Sequence, residues 1–412
     1  MKILYLVHRF CPEYFTGAER VILNLATMMQ ICGHRVKVFT YSFHPPSFYD
    51  RSLGSIAIKE FVHEGVPVLA FRYRNTPDDI DFGFESPALS EVAADLIRRE
   101  GPDVVHAGHT MRVGELLKSA QQLGIPCVVT LNDFFMMCPK QTLVRSDGSL
   151  CGGPESGRAC GEYCSELPVE AIPKRLAAAR DFLTKAKTVA APSCFLAAIH
   201  QREFGPITIK PVRNGLPLDT LECNMRRYER GDSVVFCYAG PLDSHQGVHI
   251  LIEAFMSVRS ASASLRIHGT KDAPESYACM LKERARPDKR IEFRGEYASL
   301  QLGRVLESVD VMVIPSLWHE SHPLVLGEAL ASNVPVIVSD VGGMTETVED
   351  NVNGFVFAMG DTAHLTEVLQ KVVDAPEVLN PLKGNINQMV VTTVEQEAYA
   401  YERIYNQILG AR

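Results

Sequence analysis

Two runs of alternating strands and helices, separated by a polar stretch, constrain the fold of this chain more than any other feature. In the first run, the apolar segment KILYLVH precedes a loop, a helix-period segment, RVILNLATMMQICGHR, and a second apolar segment, VKVFTY. A strand, a helix and a strand in this order are typical of a parallel sheet. The alternation continues through DVVHA and PCVVTLND to VAAPS. We therefore predict a doubly wound α/β domain for the first half of the chain.

The second run begins after residues 214 to 233, where apolar periodicity lapses and polar turn residues dominate. The strands SVVFCYAG, ASLRIHG, RIEFRG and VMVIPS then alternate with helix-period segments. We predict a first domain over residues 1–215, a linker over 216–232, a second α/β domain over 233–390, and a terminal helix over 391–412 that packs back across the domains. Ligands of open α/β sheets lie at the carboxyl ends of the strands, so two facing domains would form a cleft for a ligand.

The composition restricts the class of protein. A chain of 412 residues, 46% hydrophobic and 22% charged, is typical of a globular protein with two domains. The formal net charge of -8 argues against a nucleic-acid binder, which would carry a basic excess. No nucleic-acid partner is expected.

The apolar runs, the opening residues and the cysteines of the chain predict its cellular location and the redox state of its thiols. No apolar run approaches the roughly 18 to 20 residues that span a bilayer. The opening MKILYLVHRF has neither the basic start nor the cleavage site of a signal peptide. The eleven cysteines are an odd number and mostly scattered, which suits reduced thiols. We expect a cytoplasmic protein.

The stretch PSLWHESHPLVLGEALASNVPVIVSDVGG places two acids, Glu320 and Glu328, around a proline that suits the first turn of a helix. The backbone amides of Leu324 and Val325 would then be free at the positive end of the helix dipole, where phosphate binds readily. Both carboxylates could border such a ligand and accept hydrogen bonds from sugar hydroxyls. From spacing alone, two solvated surface acids fit equally well.

At these residues the chain resembles the retaining nucleotide-sugar glycosyltransferases of family 4. Glu320 and Glu328 match the paired-glutamate motif of that family. Further segments follow in the family's order: GAER, GHRVKVFT, PDVVHAGH, GIPCVVTLND, APS, NGLPLD, GVHILIEAF, RGEY and NVNGFVF. The resemblance implies an α/β protein with two facing Rossmann-like domains and an interdomain cleft, the GT-B fold. It also implies hexosyltransferase-type transfer, with retention, from a UDP-, GDP- or dTDP-linked sugar to a glycan, lipid-linked or other glycoconjugate acceptor in polysaccharide or glycoconjugate assembly.

The resemblance assigns roles to residues of the second domain. It implies that Glu320 contacts hydroxyls of the donor sugar, and Glu320, Asn132 and His109 are the predicted catalytic residues. Glu328 would hold the ribose hydroxyls, and the amides of Leu324 and Val325 would meet the diphosphate. His322, between the two acids, is placed on the donor side.

Two positions depart from the family pattern, which usually has an arginine and a lysine in the first loop of the second domain. Here that loop reads GPLDSHQG, with Pro241 and Gln246 at those positions. Preorganised positive charge at a leaving diphosphate is often a large catalytic contribution, so its loss should cost several kcal/mol unless other groups replace it. Gln246 stays a donor-side residue. Lys271 is the preferred replacement, ahead of His245 and Arg213, although an ordinary exposed lysine is an equal alternative.

Candidate residues of the first domain follow its predicted strands. Gly17 would let the backbone approach the donor, because a Cβ would crowd it there; the alternative is an ordinary turn glycine. Asn132 stands where many relatives have a histidine, and it cannot take a proton; a front-face mechanism, in which the leaving phosphate oxygen receives the acceptor proton, tolerates this. Asp133 either lies near the reacting centre or caps the next segment. His106 and His109 could line the acceptor side, with a structural role as the alternative.

Four cysteines, Cys138, Cys151, Cys160 and Cys164, fall in an insertion over residues 138–164 that is rich in Gly, Ser and Pro. Four thiolates bind Zn²⁺ tetrahedrally and can fold such a loop, and Cys-x₃-Cys is within ligand spacing. A subset of the resembling family carries similar insertions. A structural zinc ion is predicted, with an iron–sulfur cluster or uncoordinated thiols as alternatives. Since four cysteines fill the zinc shell, no catalytic metal is expected.

The segment PKRLAAARDFLTKAKT carries five basic residues among alanines and leucines: Lys174, Arg175, Arg180, Lys185 and Lys187. Such a face can dock on an anionic membrane, so the chain could be peripheral at the inner membrane face; a solvated helix face is the alternative.

A second functional hypothesis is a catalytically degenerate GT-B-like binding or scaffold protein, which the missing cations favour.

Overall fold

The computed structural model describes residues 1–15, 17–77, 79–269, 275–296 and 302–410. The chain forms two compact units. The first contains residues 1–215 and 392–412, and the second contains residues 216–391. The segment predicted as a linker therefore packs with the second unit, and the terminal helix packs with the first. No helix within the described ranges has the length and apolarity to cross a membrane.

The first unit is built on a nine-stranded sheet with the order β3-β4-β5-β2-β1-β6-β7-β8-β9. Its strands are β1 (Lys2–Val7), β2 (Arg35–Tyr41), β3 (Arg51–Leu53), β4 (Ile56–His63), β5 (Val66–Tyr73), β6 (Val104–Ala107), β7 (Cys127–Thr130), β8 (Thr188–Ala191) and β9 (Ile209–Pro211). The pairs β3–β4 and β4–β5 are antiparallel, and the others are parallel. The predicted parallel sheet is confirmed, and the antiparallel extension was not predicted.

The helices of the first unit cover the apolar strands on both faces. They are α1 (Gly17–Ile31), α2 (Pro87–Glu100), α3 (Gly114–Gln122), α4 (Arg158–Tyr163), α5 (Ile172–Lys185), α6 (Cys194–Phe204) and α13 (Val394–Leu409). Strands β1 and β6 to β8 are almost wholly buried, which explains their continuous apolar runs. Helix α1 begins three residues before the predicted RVILNL segment.

The terminal helix α13 is held in the first unit at its start and along its length. Thr393 and Gln396 form a capping box that satisfies the first free amides of the helix. Tyr401 and Tyr405 are fully buried, and the Tyr401 hydroxyl lies 2.8 Å from Thr130 Oγ1. The helix is therefore an integral layer of the first unit.

The second unit is built on a six-stranded parallel sheet with the order β12-β11-β10-β13-β14-β15. Its strands are β10 (Val234–Gly240), β11 (Ala263–Gly269), β12 (Ile291–Gly295), β13 (Val311–Ile314), β14 (Val336–Ser339) and β15 (Gly354–Phe357). Its helices are α7 (Val248–Met256), α8 (Glu275–Ala285), α9 (Leu302–Glu307), α10 (Leu324–Ala331), α11 (Thr362–Asp374) and α12 (Leu379–Ile386).

The strand order identifies where each sheet offers a ligand site. In the first sheet the order reverses between β1 and β6, and in the second between β10 and β13. Loops at the carboxyl ends of the strands on either side of a reversal diverge and leave a crevice. The residues that follow β1 and β6, and those that follow β10 and β13, are therefore the places to look for chemistry.

Candidate functional site

In the second unit, the loop after β10 packs directly on the loop after β13. The Leu317 amide donates to the His245 carbonyl at 2.8 Å. Gly247 has φ +71°, and a Cβ there would lie 1.9 Å from the Pro315 oxygen, so the close approach of the two loops requires glycine. The loop that contains Gln246 and the loop that leads to Glu320 therefore pack against each other.

Glu320 is a buried carboxylate in this group, with 6% of its surface exposed. The Ser316 hydroxyl and the Trp318 indole N–H both donate to its Oε1, each at 2.7 Å. Within the described part of the chain, no donor contacts its Oε2. The alternative that Glu320 is a solvated surface acid is excluded, and Oε2 is the atom that could accept from a ligand hydroxyl.

The backbone of Glu320 is fixed by two glycines at the end of the quoted motif. The Gly343 amide donates to the Glu320 carbonyl at 2.7 Å. Gly342 has φ +66°, and a Cβ there would lie 2.3 Å from the Glu320 oxygen and 2.5 Å from its nitrogen. No other residue type fits this approach without displacing the acid.

The environment of Glu320 shifts its acidity. Burial raises the pKa of Glu320 to about 7, although the hydrogen bonds from Ser316 and Trp318 favour the charged form. Near neutral pH the carboxyl group therefore exists in both protonation states. A ligand hydroxyl donating to Oε2 would favour the ionised state.

The helix start predicted beside Glu320 is present one residue later than expected. Helix α10 begins at Leu324, and Pro323 occupies the capping position with extended backbone angles. The first amides of an α-helix have no partner within it, so Leu324 and Val325 keep the predicted character of an anion site. Glu328, in the second turn, is 1% exposed and is likewise no solvated acid. His322 is half-buried in the loop before the helix.

Of the three groups predicted as replacements for the missing cations, His245 and Arg213 lie within the described residues. Lys271 lies outside the described residues. His245 lies edge-on to Trp318, with ring centroids 5.1 Å apart, and burial lowers its pKa, which disfavours a charge at neutral pH. Arg213 is an exposed residue of the first unit. Gln246 ends a short 3₁₀ turn, half-buried beside His245.

In the first unit, a histidine pair lies where the strand order reverses. His8 follows β1, His109 follows β6, and their ring centroids are 3.8 Å apart. His109 Nδ1 accepts from the Met111 amide at 3.2 Å, and its Nε2 lies 2.8 Å from Asp133 Oδ2. His109 thus carries its proton on Nε2 and donates it to Asp133. Both histidines are buried, with 4% exposed.

Asp133 caps the next segment, which is one of the two roles that the sequence left open, and it also bonds His109. Its Oδ1 accepts from the Phe135 amide at 2.8 Å, which caps the next segment, while Oδ2 bonds His109. Burial opposes ionisation of Asp133, but the hydrogen bonds from His109 and from the Phe135 amide favour the charged form, and the pKa lies below its ordinary value. Burial, with the nearby positive charges of Arg9 and Arg112, holds the pKa of His8 well below its usual range.

The other first-unit candidates have different surroundings. Asn132 Nδ2 donates to the Gly108 carbonyl at 2.7 Å, which leaves its carbonyl oxygen as an acceptor. His106 is a core residue: Nδ1 lies 2.6 Å from the Tyr405 hydroxyl and Nε2 2.7 Å from Thr130 Oγ1, so the expectation that it lines the acceptor side is wrong. A Cβ at Gly17 would meet no described atom within 4 Å, so the described residues around it do not themselves require glycine.

The four cysteines of the insertion are buried and reduced. Burial, reinforced by the neighbouring Cys138, Cys164 and Cys151, raises the pKa of the Cys160 thiol to about 12. These thiols therefore lie near one another. Across the described ranges, however, no group of three or more His, Cys, Asp or Glu side chains has the arrangement of a metal site. The zinc ion stays a prediction.

The predicted basic face of the 172–185 helix is smaller than expected. Arg175 is only 4% exposed; its guanidinium donates to the carbonyls of Phe82 at 2.6 Å and Met136 at 3.1 Å and also to that of Phe135. It is wrong to count Arg175 in a membrane face. Lys185 is paired with Asp181 at 2.7 Å.

Sequence reasoning did not single out three residues of these sites. Ser316 and Trp318 hold Glu320, and His8 stacks on His109. Two signals were present: the chain's one tryptophan stands two residues from the acid, and His8 directly follows the first strand.

Comparisons with known proteins match both units. A family model described as "Glycosyl transferase 4-like domain" matches residues 16–215, and one described as "Glycosyl transferases group 1" matches residues 233–375. The chain is 26% identical over 395 residues to a glycogen synthase of Mycobacterium tuberculosis, covering 91% of this chain and 87% of that protein. It is 24% identical over 331 residues to D-inositol 3-phosphate glycosyltransferase 1 of Catenulispora acidiphila, covering 76% and 74%.

Solved structures are similar over the whole chain. Sucrose-phosphate synthase of Thermosynechococcus elongatus has a TM-score of 0.73 at 16% identity, covering 100% of both chains. Anabaena HepE in complex with UDP and glucose has a TM-score of 0.71 at 16% identity, covering 99% of this chain and 100% of that one. These likenesses confirm the predicted α/β class with two Rossmann-like domains.

Proposed function

We propose, from the premise that this chain belongs to the glycosyltransferases with a GT-B fold, that it transfers a sugar from a nucleotide-diphosphate donor to a glycan, lipid-linked or other glycoconjugate acceptor with retention of configuration. The observation that carries the proposal is the buried Glu320, whose Oε1 is occupied by Ser316 and Trp318. That arrangement reserves Oε2 for a hydroxyl of the donor sugar. HepE, a structural neighbour, has been solved with UDP and glucose, which supports a nucleotide-sugar donor; the proposed donors are UDP-, GDP- or dTDP-linked sugars.

The donor is proposed to extend from Glu320 to the start of α10. The sugar hydroxyl donates to Glu320, the amides of Leu324 and Val325 donate to the diphosphate, and Glu328 accepts from the ribose hydroxyls. His322 and Gln246 border the same ligand. Because Gln246 and a largely neutral His245 carry no full positive charge, hydrogen-bond donors and the helix dipole supply the stabilisation of the leaving diphosphate.

The acceptor is proposed to bind at the carboxyl edge of the first sheet, beside His109 and Asn132. Since Asn132 cannot accept a proton, and both ring nitrogens of His109 are engaged in hydrogen bonds with Met111 and Asp133, neither is suited to act as a general base in this state. The proposed front-face reaction meets this limit: the acceptor oxygen bonds to the anomeric carbon, the bond to the leaving phosphate oxygen breaks, and that oxygen takes the acceptor proton.

The test is nucleotide release with a panel of uridine, guanosine, adenosine and thymidine diphosphate sugars. Glu320→Gln keeps the shape of the side chain and removes the ionised acceptor, so turnover should fall by at least a hundredfold. Glu397→Gln is a matched control, because Glu397 is also a buried acid, 1% exposed, but lies in α13 of the first unit. Equal turnover in Glu320→Gln and the parent chain would contradict the assignment.

A second candidate function, a degenerate GT-B-like binding or scaffold protein, is favoured by the uncharged Pro241 and Gln246. Calorimetry with nucleoside diphosphates separates the two candidates. The enzyme should bind at least one of them, and a degenerate site should bind none. Absence of binding for every nucleoside diphosphate would favour the scaffold.

Structural zinc in the insertion is a separate proposal, supported by four buried, reduced and neighbouring thiols. The residues that would hold the ion are Cys138, Cys151, Cys160 and Cys164, and it would order the loop. Metal analysis of the purified protein should find one zinc per chain. Substoichiometric zinc and iron would refute the proposal.

Peripheral membrane contact through the 172–185 helix also stays a proposal, now without Arg175. Sedimentation with anionic vesicles should be lost on reversing the charges of Lys174 and Arg180. Unchanged sedimentation of that variant would exclude this face.

A further inference from the structure

The antiparallel extension of the first sheet contains a cavity of about 370 Å³ that the proposed transfer reaction does not use. It is lined by Pro46, Tyr49, Asp50, Arg51, Ser52, Ala57, Arg72 and Arg74. Three arginines and one aspartate therefore border a single hollow. This excess of positive charge is notable in a chain with a net charge of -8.

The hollow follows from the register of three antiparallel strands. Ala57 pairs with Arg72 and with Ser52, so these three side chains share one face of the sheet. Arg74 lies two residues beyond Arg72 and points to the same face, and its amide donates to the Ser55 carbonyl at 3.0 Å. The small side chains of Ala57 and Ser52 leave the room beside the two arginines.

The acidic groups around the cavity are already neutralised. Asp50 accepts from Lys59 Nζ at 2.7 Å, and Arg51 is paired with Glu60 at 2.7 Å. Arg72 and Arg74, in contrast, have no carboxylate partner among the described residues. Two arginines with unpaired charges on the same face can bind a planar or tetrahedral oxyanion through several N–H donors.

One of these arginines is held in place before any ligand binds. Arg72 Nη1 donates to the His44 carbonyl at 2.8 Å, and its guanidinium carbon lies 6.0 Å from the centre of the Tyr49 ring. The Tyr49 hydroxyl in turn donates to the Ser42 carbonyl at 3.0 Å. Such preorganisation lowers the entropic cost of binding an anion.

We propose that this cavity is a binding site for a phosphate group, separate from the donor site of the second unit. Strand β5 is parallel to β2, which is parallel to β1, so Arg74 and His8 follow strands that end at the same edge of the sheet. The strands β5 and β1 are two intervals apart, or roughly 10 Å. The phosphate could therefore belong to a soluble phosphorylated sugar or to a lipid phosphate, and the recognition chemistry is the same for both.

The experiment measures binding of inorganic phosphate to the full chain by ³¹P relaxation, with the parent chain and three variants. Arg74→Ser removes one unpaired charge, and Ala57→Leu fills the hollow without changing any charge. Arg98→Ser is the matched control, because Arg98 is an exposed arginine on α2 of the same unit, paired only with Asp95 at 2.9 Å. Phosphate affinity should fall at least tenfold in the first two variants and stay unchanged in the control.

A second measurement identifies the source of the phosphate, using vesicles of phosphatidic acid in phosphatidylcholine and, separately, glucose 1-phosphate. Vesicle binding that Ala57→Leu abolishes assigns the site to a lipid phosphate, and binding of glucose 1-phosphate alone assigns it to a soluble one. The proposal is overturned if the parent chain binds none of the three probes, if Arg74→Ser and Ala57→Leu bind phosphate as tightly as the parent, or if Arg98→Ser loses as much affinity as they do. Failure of sugar transfer would not bear on these results, since the probes need no donor.

Discussion

The chain's one tryptophan provides a direct readout of Glu320, the carboxylate that is proposed to bind the donor sugar. Trp318 donates its indole N–H to Glu320 Oε1 at 2.7 Å, and no other tryptophan contributes to the signal. Protonation of the Glu320 carboxyl group weakens that hydrogen bond and removes the negative charge that lies beside the indole ring. The tryptophan emission should therefore titrate with Glu320.

The expected midpoint and its shift follow from the contacts. The pKa of Glu320 is raised from 4.5 to about 7 by burial, which corresponds to a penalty of about 3 kcal/mol on the charged form. A hydrogen bond to a charged group contributes roughly 1.5 to 3 kcal/mol. Ser316→Ala removes one such bond to the ionised state, so the midpoint should rise by about one to two pH units.

The assay is a fluorescence titration of the folded protein between pH 5 and pH 9. Glu320→Gln should abolish the transition near pH 7. His245→Gln is the control for the neighbouring imidazole, whose lowered pKa would place its own transition below that of Glu320. A transition that persists in Glu320→Gln, or a midpoint that falls in Ser316→Ala, would refute the reasoning about this carboxyl group.

Three further predictions concern the loop, the terminal helix and the missing cations. Gly342→Ala should lower the free energy of unfolding by roughly 2 kcal/mol or more and weaken nucleotide binding, because its Cβ would lie 2.3 Å from the backbone carbonyl oxygen of Glu320. The control is Gly384→Ala, whose Cβ meets nothing within 4 Å and which should be neutral or stabilising in urea unfolding. Burial raises the pKa of Glu397 from 4.5 to about 8, so its contribution to the free energy of unfolding should be complete below about pH 4.5 and decline up to about pH 8. Glu397→Gln should remove up to about 1.4 kcal/mol per pH unit of that decline, measured by urea unfolding at pH 5 and pH 8. An unchanged dependence of the unfolding free energy on pH would contradict this prediction. Gln246→Lys should tighten nucleoside diphosphate binding at least tenfold in calorimetry, and equal affinity would place the diphosphate elsewhere.

The parallel core of both units was predictable because fully buried strands leave an apolar run of four to seven residues. The antiparallel extension was not, since β4 is half-exposed and reads IAIKEFVH, with charged residues among the apolar ones. Its turn offered a signal: Glu64 and Gly65 have φ of 47° and 80°, as a two-residue hairpin between strands requires. An Asn-Gly pair would have been recognised there, but Glu-Gly is a weaker signal.

The position of the candidate acid Glu320 was predictable, but its environment was not. The family motif locates Glu320, yet its contacts come from a non-repetitive loop in which Ser316 and Trp318 turn back on it. No periodicity marks such a turn. The same limit explains the error at His106: a histidine at the end of a strand can face the core or the edge, and the tyrosines of α13 that enclose it are almost 300 positions away in the sequence.

Burial raises the pKa of Glu320, and no cation among the described residues offsets that effect. The groups that favour its ionised form are the neutral donors Ser316 and Trp318, which do not fully offset burial. An arginine or lysine at Pro241 or Gln246 would both attract the diphosphate and favour the carboxylate. Without them, a bound diphosphate adds negative charge near Glu320 and raises its pKa further, while a sugar hydroxyl donating to Oε2 lowers it. At the proposed donor site, productive binding is expected to need the sugar and the diphosphate together, and a free nucleoside diphosphate should bind with uptake of a proton where the nucleotide sugar does not.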